Sequence, residues 1–265
     1  MVNCGSKGSD VRGQPRILIS NDDGIAAPGI AVLQRVARQL SDDVWVVAPE
    51  QEQSGASHSL TTRRPLRLHQ LDERRFAVDG TPTDCVLLAL KRLLRDHPPD
   101  LVLSGINAGS NVGEDLTYSG TVAAAMEATL LGIPAIALSQ AYIDGHGIPW
   151  GTGEAVAPEM IRRLLQRQWP ESTLFNINFP AVPPGTSVTI AVTSQGRRAI
   201  ADNLTDGVDP RGRPYYWIGP APEHGKAEPG TDVAAVADDM ISITPINLNL
   251  TNLPVLNELR DMFEA

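Results

Sequence analysis

A short apolar strand that ends in adjacent acids is the feature that most restricts how this chain can fold. Ile17-Leu18-Ile19 has no polar alternation, which is typical of a strand covered on both faces in a parallel sheet. The strand runs into Asn21-Asp22-Asp23-Gly24, and Pro28-Gly29 then opens a stretch with apolar residues at helical spacing. Because ligands of open α/β sheets bind beyond the carboxyl ends of the strands, we expect these acids to line a crevice.

Two explanations of the acid pair remain open at this point. Asp and Gly are ordinary turn residues, so Asp22-Asp23-Gly24 would serve simply to end a strand. Two neighbouring carboxylates, however, repel by about 1 kcal/mol at 4 Å in water and by about 4 kcal/mol at an effective dielectric constant of 20. A hard divalent cation would remove this repulsion, and oxygen ligands suit Mg²⁺, Mn²⁺ or Ca²⁺.

Composition excludes several classes of protein. The 265 residues include 42% hydrophobic and 20% charged residues, as in globular proteins, and no apolar stretch approaches the length needed to span a bilayer. The net charge of −9 argues against a protein that binds nucleic acid without regard to sequence. It does not prevent a small anion from binding through a metal ion and backbone amides.

The cysteines and the N-terminal residues indicate the cellular compartment in which we expect the protein. With only two cysteines there is no disulfide framework, and Cys85 lies in an apolar helical run where we predict a buried free thiol. Residues 1–15 are polar and rich in Gly and Ser, so we expect a disordered tail rather than a signal peptide. Both observations favour the cytoplasm.

Strands and helices alternate along the first two thirds of the chain. Further strands are predicted at residues 44–48, 100–104, 134–139 and 174–179, with helices at about 82–95, 122–131 and 154–169. Thr81 is a plausible N-cap with Pro82 as the first helical residue. Such regular alternation predicts right-handed crossovers and an α/β fold with a doubly wound, mostly parallel sheet.

The character of the sequence changes near residue 180. Pro-rich segments break the helical periodicity, and residues 188–192, 215–218 and 241–244 are predicted as isolated strands in extended arms or hairpins. Exposed strand edges are often covered by another subunit, so we predict a homodimer or homotetramer. Residues 253–263 form an amphipathic helix, which we expect to pack back on the core.

Three common enzyme classes lack their motifs. A haloacid-dehalogenase phosphatase needs Asp-x-Asp after the first strand, but Gly24 lies two residues beyond Asp22. A P-loop enzyme needs Gly-Lys-Ser/Thr, whereas the chain has Gly225-Lys226-Ala227 without a preceding strand. No G-x-G-x-x-G follows the first strand, as a dinucleotide-binding enzyme would require.

Several long motifs, in one order along the chain, resemble those of the SurE family, the stationary-phase survival proteins. The motifs are Asn21-Asp22-Asp23-Gly24-Ile25, Ala27-Pro28-Gly29-Ile30, Ala48-Pro49, Gln53-Ser54-Gly55, Val78-Asp79-Gly80-Thr81-Pro82, Asp84-Cys85-Val86, Ser104-Gly105-Ile106-Asn107-Ala108-Gly109 and Tyr118-Ser119-Gly120-Thr121-Val122-Ala123-Ala124. The resemblance runs from Arg16 to Ser242-Ile243-Thr244-Pro245. It departs from the usual family pattern at Ala56-Ser57 and at Asp238-Asp239-Met240.

The resemblance implies a phosphomonoesterase that depends on a divalent metal ion. A 5'-nucleotidase of this kind hydrolyses nucleoside monophosphates to nucleoside and phosphate, and action on short polyphosphate stays open. Residues 16–180 would form a Rossmann-like catalytic domain, and residues 181–265 an extension used in dimers or tetramers. The family's metal ligands correspond to Asp22, Asp23, Ser54 and Asn107, which would bind one Mg²⁺ or Mn²⁺ per subunit. The alternative is a sensor that binds nucleotides through the metal without catalysis.

We expect direct hydrolysis, in which the metal ion activates a water molecule for attack on phosphorus. His58 is a candidate general acid for the leaving group, although a histidine that only pins its loop fits equally well. Polar groups near a helix N-terminus would bind the phosphate. These candidates are Asn21, Gly109, Ser110, Asn111, Ser119, Gly120 and Thr121. Helix capping is the alternative for Ser119 and Thr121, and a left-handed turn is the alternative for Asn111.

Overall fold

A computed structural model describes residues 14–142, 145, 147–198, 204–218 and 227–264. Most of the predicted N-terminal tail therefore lies outside the described residues. The strands are β1 (Ile17–Ser20), β2 (Val44–Pro49), β3 (Leu68–Asp72), β4 (Arg75–Val78), β5 (Leu101–Ala108), β6 (Ala135–Gln140), β7 (Thr173–Phe179), β8 (Ile190–Val192), β9 (Leu204–Val208), β10 (Pro214–Ile218) and β11 (Ile241–Asn247). The helices are α1 (Pro28–Arg38), α2 (Pro82–Leu88), α3 (Gly120–Leu130), α4 (Trp150–Leu165), α5 (Asp232–Ala237) and α6 (Leu253–Phe263).

The predicted doubly wound α/β sheet is confirmed. The main sheet has the strand order β3-β4-β2-β1-β5-β6-β7-β11-β8. The six strands from β4 to β7 in this order run parallel to one another. The chain moves outward from β1 in one direction through β2 and returns to the other side of β1 at β5. The gap between the ends of β1 and β5 is therefore the switch point where this fold class binds ligands.

Helices cover both faces of the sheet, which explains the continuous apolar strands. Ile17 and Ile19 of β1 pack on one side with residues of α1 and α4. Leu18 packs on the other side with residues of α2 and α3. Because successive strand residues point to opposite faces, a strand between two helical layers needs apolar residues at every position.

Two features predicted for the second helix are confirmed. Thr81 caps α2, since its hydroxyl accepts a hydrogen bond from the amide of Asp84 while the Asp84 carboxylate accepts from the amide of Thr81. Pro82 is the first residue of the helix. Cys85 is a fully buried free thiol. The α-helix is shorter than predicted because a π-helical turn, Ala89–Leu93, follows it.

The C-terminal region differs from the sequence-based expectation of isolated arms. β11 pairs antiparallel with β7, and β8 pairs parallel with β11, so both strands extend the main sheet. The sequence pattern of a strand this short shows which residues are buried, but not which strand it pairs with. Among the described strands, β9 and β10 form a separate antiparallel hairpin, and most of its residues are exposed.

The final helix forms where it was predicted but does not pack back on the core. None of the residues of α6 is buried in the single chain, and Leu253, Val255, Leu259, Met262 and Phe263 are exposed. The amphipathic pattern specifies an apolar face but not the surface that covers it. Among the described residues, no helix has the length and apolar character needed to cross a membrane.

Candidate functional site

The acid corner, residues 21–24, lies at the carboxyl end of β1. Gly24 makes the turn after the acids with φ of +100°, a conformation that favours glycine. Asn21 is fully buried, and its side-chain amide donates a hydrogen bond to the carbonyl of Gly24. This hydrogen bond supports the turn, whereas the buried Oδ1 atom of Asn21 has no hydrogen-bond partner among the described residues. The predicted place of Asn21 in a phosphate site stays a prediction.

Asp22 is buried against the N-terminus of α3. The hydroxyl of Thr121 donates a hydrogen bond to Oδ1 of Asp22. A methyl group added at Gly120 would lie 2.7 Å from Cβ of Asp22, so only glycine leaves room for the acid. Burial raises the pKa of Asp22, and the hydrogen bond from Thr121 and the nearby amides of Thr121 and Gly120 partly oppose this shift.

Asp23 lies beside Asp22 and is more accessible. Its Oδ2 atom accepts a hydrogen bond of 3.3 Å from the amide of Ala108 at the end of β5. Burial raises the pKa of Asp23 to about 6, with a further contribution from the charge of Asp22 and a smaller one from Glu52. The site therefore holds acids whose charged forms lack a compensating positive charge.

The structure relates the other two predicted ligands, Asn107 and Ser54, to the acid corner in different ways. Oδ1 of Asn107, near the end of β5, lies 3.3 Å from the Thr121 hydroxyl that also contacts Asp22. The amide of Gln53 donates a 2.7 Å hydrogen bond to the carbonyl of Asp22, which ties the loop that contains Ser54 to the acid corner. The Ser54 side chain itself is exposed.

The donor set fits a hard cation. Within the described residues, neither Asp22 nor Asp23 forms a salt bridge with Lys, Arg or His. In the same part of the chain no three His, Cys, Asp or Glu side chains form a metal-binding group. The predicted set of two carboxylates, one hydroxyl and one amide oxygen consists of ligands typical of Mg²⁺ and Mn²⁺ rather than of zinc.

Several amides of the predicted phosphate site already have protein partners. The amide of Gly109 donates to the carbonyl of Gln140, and that of Ser119 donates to the carbonyl of Asp115, both at 2.9 Å. The hydroxyl of Ser119 accepts from the amide of Val122, as the capping alternative predicts. Among the described residues the amide of Ser110 has no acceptor. Its N–H group is therefore not already used by a partner in this part of the chain.

Asn111 is held inside the protein by groups that sequence reasoning missed. Its amide donates to Oδ1 of Asn178 at 2.7 Å, and its side chain donates to Ser139 at 2.9 Å. The side chains of Asn176 and Asn178 both donate to its carbonyl. Its backbone φ is not positive, so the left-handed turn is wrong. Two Asn residues at strand spacing within an apolar run were a usable signal, because they must share one face.

His58 does not contact the acid corner. Its Nε2 atom lies 3.0 Å from Oε2 of Glu127, in the interior of α3. This contact corresponds to the loop-pinning alternative, because it ties the loop that contains Ser54 to a neighbouring helix. No feature of the sequence marked Glu127 as the partner, since it lies 69 residues away.

Glu52 is a further residue of the site that the sequence did not single out. Its Oε1 atom accepts a 2.8 Å hydrogen bond from the hydroxyl of Ser54, which orients one predicted ligand. Its charge also contributes to the raised pKa of Asp23. Glu50 precedes it by two residues in the same polar loop, so composition does not distinguish the two acids.

Comparisons with known proteins agree with this geometry. The profile of the family described as "Survival protein SurE" matches residues 17–202. The chain is 56% identical over 248 residues to a "5'-nucleotidase SurE" of Paramagnetospirillum magneticum, covering 94% of this chain and 95% of that protein. It is 52% identical over 251 residues to a protein of the same name from Rhodospirillum rubrum, covering 94% and 96%.

A solved structure gives the same result for the fold. The crystal structure of the SurE protein from Aquifex aeolicus superimposes with a TM-score of 0.82 at 41% sequence identity. The match covers 94% of this chain and 99% of that one. Sequence and fold agree over nearly the full length, and the chain belongs to the SurE family.

Proposed function

We propose that this protein is a 5'-nucleotidase, a phosphomonoesterase that hydrolyses nucleoside monophosphates with the help of a divalent metal ion. The observation that carries the proposal is the acid corner. Asp22 and Asp23 carry no compensating cation among the described residues, Asn107 shares the Thr121 hydroxyl with Asp22, and the loop that contains Ser54 is hydrogen-bonded to the backbone of Asp22. The names of the relatives support the same activity, since two of them are 5'-nucleotidases.

Asp22, Asp23, Ser54 and Asn107 would hold one Mg²⁺ or Mn²⁺ ion. The ion supplies Lewis acidity, which polarises a phosphoryl group and makes a water molecule a better nucleophile. The protein's own groups orient these ligands. Thr121 contacts both Asp22 and Asn107, and Glu52 orients the hydroxyl of Ser54.

The substrate phosphate would lie between the acid corner and the loop that follows β5. The amide of Ser110, which has no acceptor among the described residues, would donate to a phosphate oxygen there. The N-terminus of α3, in contrast, faces the carboxylate of Asp22. The partial positive charge at this end of α3 therefore stabilises the charged form of Asp22, and it acts on the substrate only indirectly.

The proposal is tested by phosphate release from a panel of nucleoside 5'- and 3'-monophosphates and short polyphosphate. We expect release with Mg²⁺ or Mn²⁺ and none with excess EDTA, because the carboxylates alone repel a phosphate dianion. Restoring the metal after EDTA should restore the activity. If a nucleotide binds in a metal-dependent way but no phosphate appears, the protein is a sensor and the proposed activity is wrong.

Metal binding should depend on pH in a direction set by Asp23. Its pKa of about 6 means that the metal-free folded protein gains protons as pH falls through 6, and a proton competes with the cation. For the metal-free protein, the raised pKa lowers stability as pH rises from about 4 to about 6. Mn²⁺ should therefore raise Tm more at pH 7.5 than at pH 5. An equal increase at both pH values would contradict this assignment.

We further propose that the protein forms homodimers or homotetramers. The exposed hairpin of β9 and β10 contains Tyr215, Tyr216, Trp217 and Ile218, all of them exposed in the single chain. Helix α6 adds a second apolar surface. Apolar surfaces of this kind are typical of subunit contacts. A monomer mass by light scattering at micromolar concentration would refute the proposal.

We also propose a cytoplasmic location. The buried free thiol of Cys85 supports this location, and cell fractionation is the experiment that tests it.

A further inference from the structure

The exposed aromatic side chains fall into two groups. The chain has four Tyr, four Trp and four Phe residues, and all lie in the described parts. Those largely exposed in β10 and α6 belong to the proposed subunit contacts. Two others are Tyr142, two residues after the end of β6, and Tyr118, two residues before α3, with 58% and 55% of their surface exposed. These two rings need another explanation.

Tyr142 lies against the loop that follows β5. The segment after β6 is fixed by two backbone hydrogen bonds, from Gly109 to Gln140 at 2.9 Å and from Ala141 to Phe179 at 3.0 Å. A methyl group added at Gly109 would lie 3.1 Å from Cε1 of Tyr142, and the φ of Gly109 is +116°. The ring therefore packs directly on the backbone of Gly109, while more than half of its surface faces solvent.

The same loop connects this ring to the proposed metal ligands. The side chain of Asn107 donates a 2.8 Å hydrogen bond to the carbonyl of Gly109. The amide of Ala108 donates to Asp23. Tyr142 and the acid corner thus contact one short segment, residues 107–109, which runs from the last two residues of β5 into the loop after it. The amide of Ser110, which has no acceptor among the described residues, comes next. A substrate whose phosphate lies at the acids would place its leaving group near this end of the loop.

We propose that the ring of Tyr142 is the stacking surface for the nucleobase of the substrate. The inference rests on the proposed nucleotidase function. It adds a residue that selects for substrates whose leaving group carries an aromatic base. An exposed ring held on a rigid backbone stacks on any base, because every base has a π-face. Tyr142 acts on substrate binding and orientation and takes no part in proton transfer.

The test compares kcat/KM for AMP and for ribose 5-phosphate, which share the phosphate and the ribose but differ in the base. We expect Tyr142→Ala to lower the ratio of the two values by on the order of tenfold, the usual effect of removing one stacking ring. Tyr142→Phe should keep the ratio of the wild type. Tyr216→Ala is the matched control, since it removes an exposed tyrosine from β10, and it should also keep the ratio.

Two outcomes would overturn the inference. The first is that Tyr142→Ala leaves the ratio of the two kcat/KM values unchanged, or lowers kcat/KM equally for both substrates, as a purely structural role predicts. A loss of selectivity in Tyr118→Ala alone would assign the base to the other exposed ring. These outcomes leave the nucleotidase function intact. If the wild type with metal releases phosphate from neither substrate, the proposed function itself is wrong, and this inference falls with it.

Discussion

Asp22→Asn is expected to abolish metal-dependent phosphate release while leaving the fold intact. The substitution keeps the shape of the side chain but removes the charge that a divalent cation requires. Mutation of residues that only support a metal ligand typically costs 10- to 100-fold, so loss of a ligand should lower kcat/KM by more than about 100-fold. The measurement is phosphate release from AMP with saturating Mn²⁺.

Thermal unfolding separates this loss from misfolding. Burial raises the pKa of Asp22, which means that the charged carboxylate costs the metal-free fold stability. The neutral Asn avoids this cost, and the metal-free variant should be at least as stable as the wild type. It should also lose most of the increase in Tm that Mn²⁺ gives. Full activity in the variant would refute the site.

Asp42→Asn provides the matched control for charge. Asp42 is exposed and lies two residues before the start of β2. Its carboxylate forms no salt bridge among the described residues. The substitution removes one negative charge from the chain without touching the acid corner. We therefore expect wild-type activity and a wild-type response to Mn²⁺. An equal loss in both variants would mean that net charge, rather than the ligand, controls turnover.

Gly29→Ala is expected to cause a large loss of stability for a single added methyl group. Gly29 lies in the first turn of α1, and a methyl group there would lie 2.0 Å from the carbonyl oxygen of Ile106. Because that oxygen belongs to a buried strand, either α1 or β5 must move. Overpacking of a core typically costs 1 to 3 kcal/mol, and a contact this close with backbone should cost about 3 kcal/mol or more.

The measurement is the free energy of unfolding by urea, with Gly132→Ala as the control. Gly132 has a φ of +82° and no atom within 4 Å of an added methyl group, so this variant has backbone strain but no clash. We expect a cost of about 1 to 2 kcal/mol for it, below that of Gly29→Ala. Because Ile106 precedes Asn107, Gly29→Ala should also lower activity. Equal stability of the two variants would contradict the close approach of α1 to β5.

The parts of the fold that follow from nearby residues were predictable. The apolar runs, the Thr81 cap and the acids after β1 depend on a few consecutive residues, and these predictions are confirmed in the structure. The family was also recognisable, because its motifs are long and keep their order. The four expected metal ligands come from motifs at the ends of strands, which a parallel sheet is expected to bring to one edge.

The partners of individual side chains were decided only by the tertiary structure. His58 meets Glu127, Asn111 meets Asn178, and the amide of Gly109 meets Gln140 instead of a phosphate. Each pair is far apart in sequence, and each partner is one of many chemically similar residues. Hydrogen-bond partners depend on positions within a few tenths of an ångström, which periodicity does not specify.

The C-terminal third shows the same division most clearly. The sequence by itself determined that residues 241–244 form a strand and that residues 253–263 form an amphipathic helix, because both patterns are local. Only the tertiary structure decided that β11 extends the main sheet beside β7, and that α6 keeps its apolar face uncovered in the single chain. A local pattern specifies which face of an element is apolar, whereas the free edge or surface that meets this face is created by the folding of the rest of the chain.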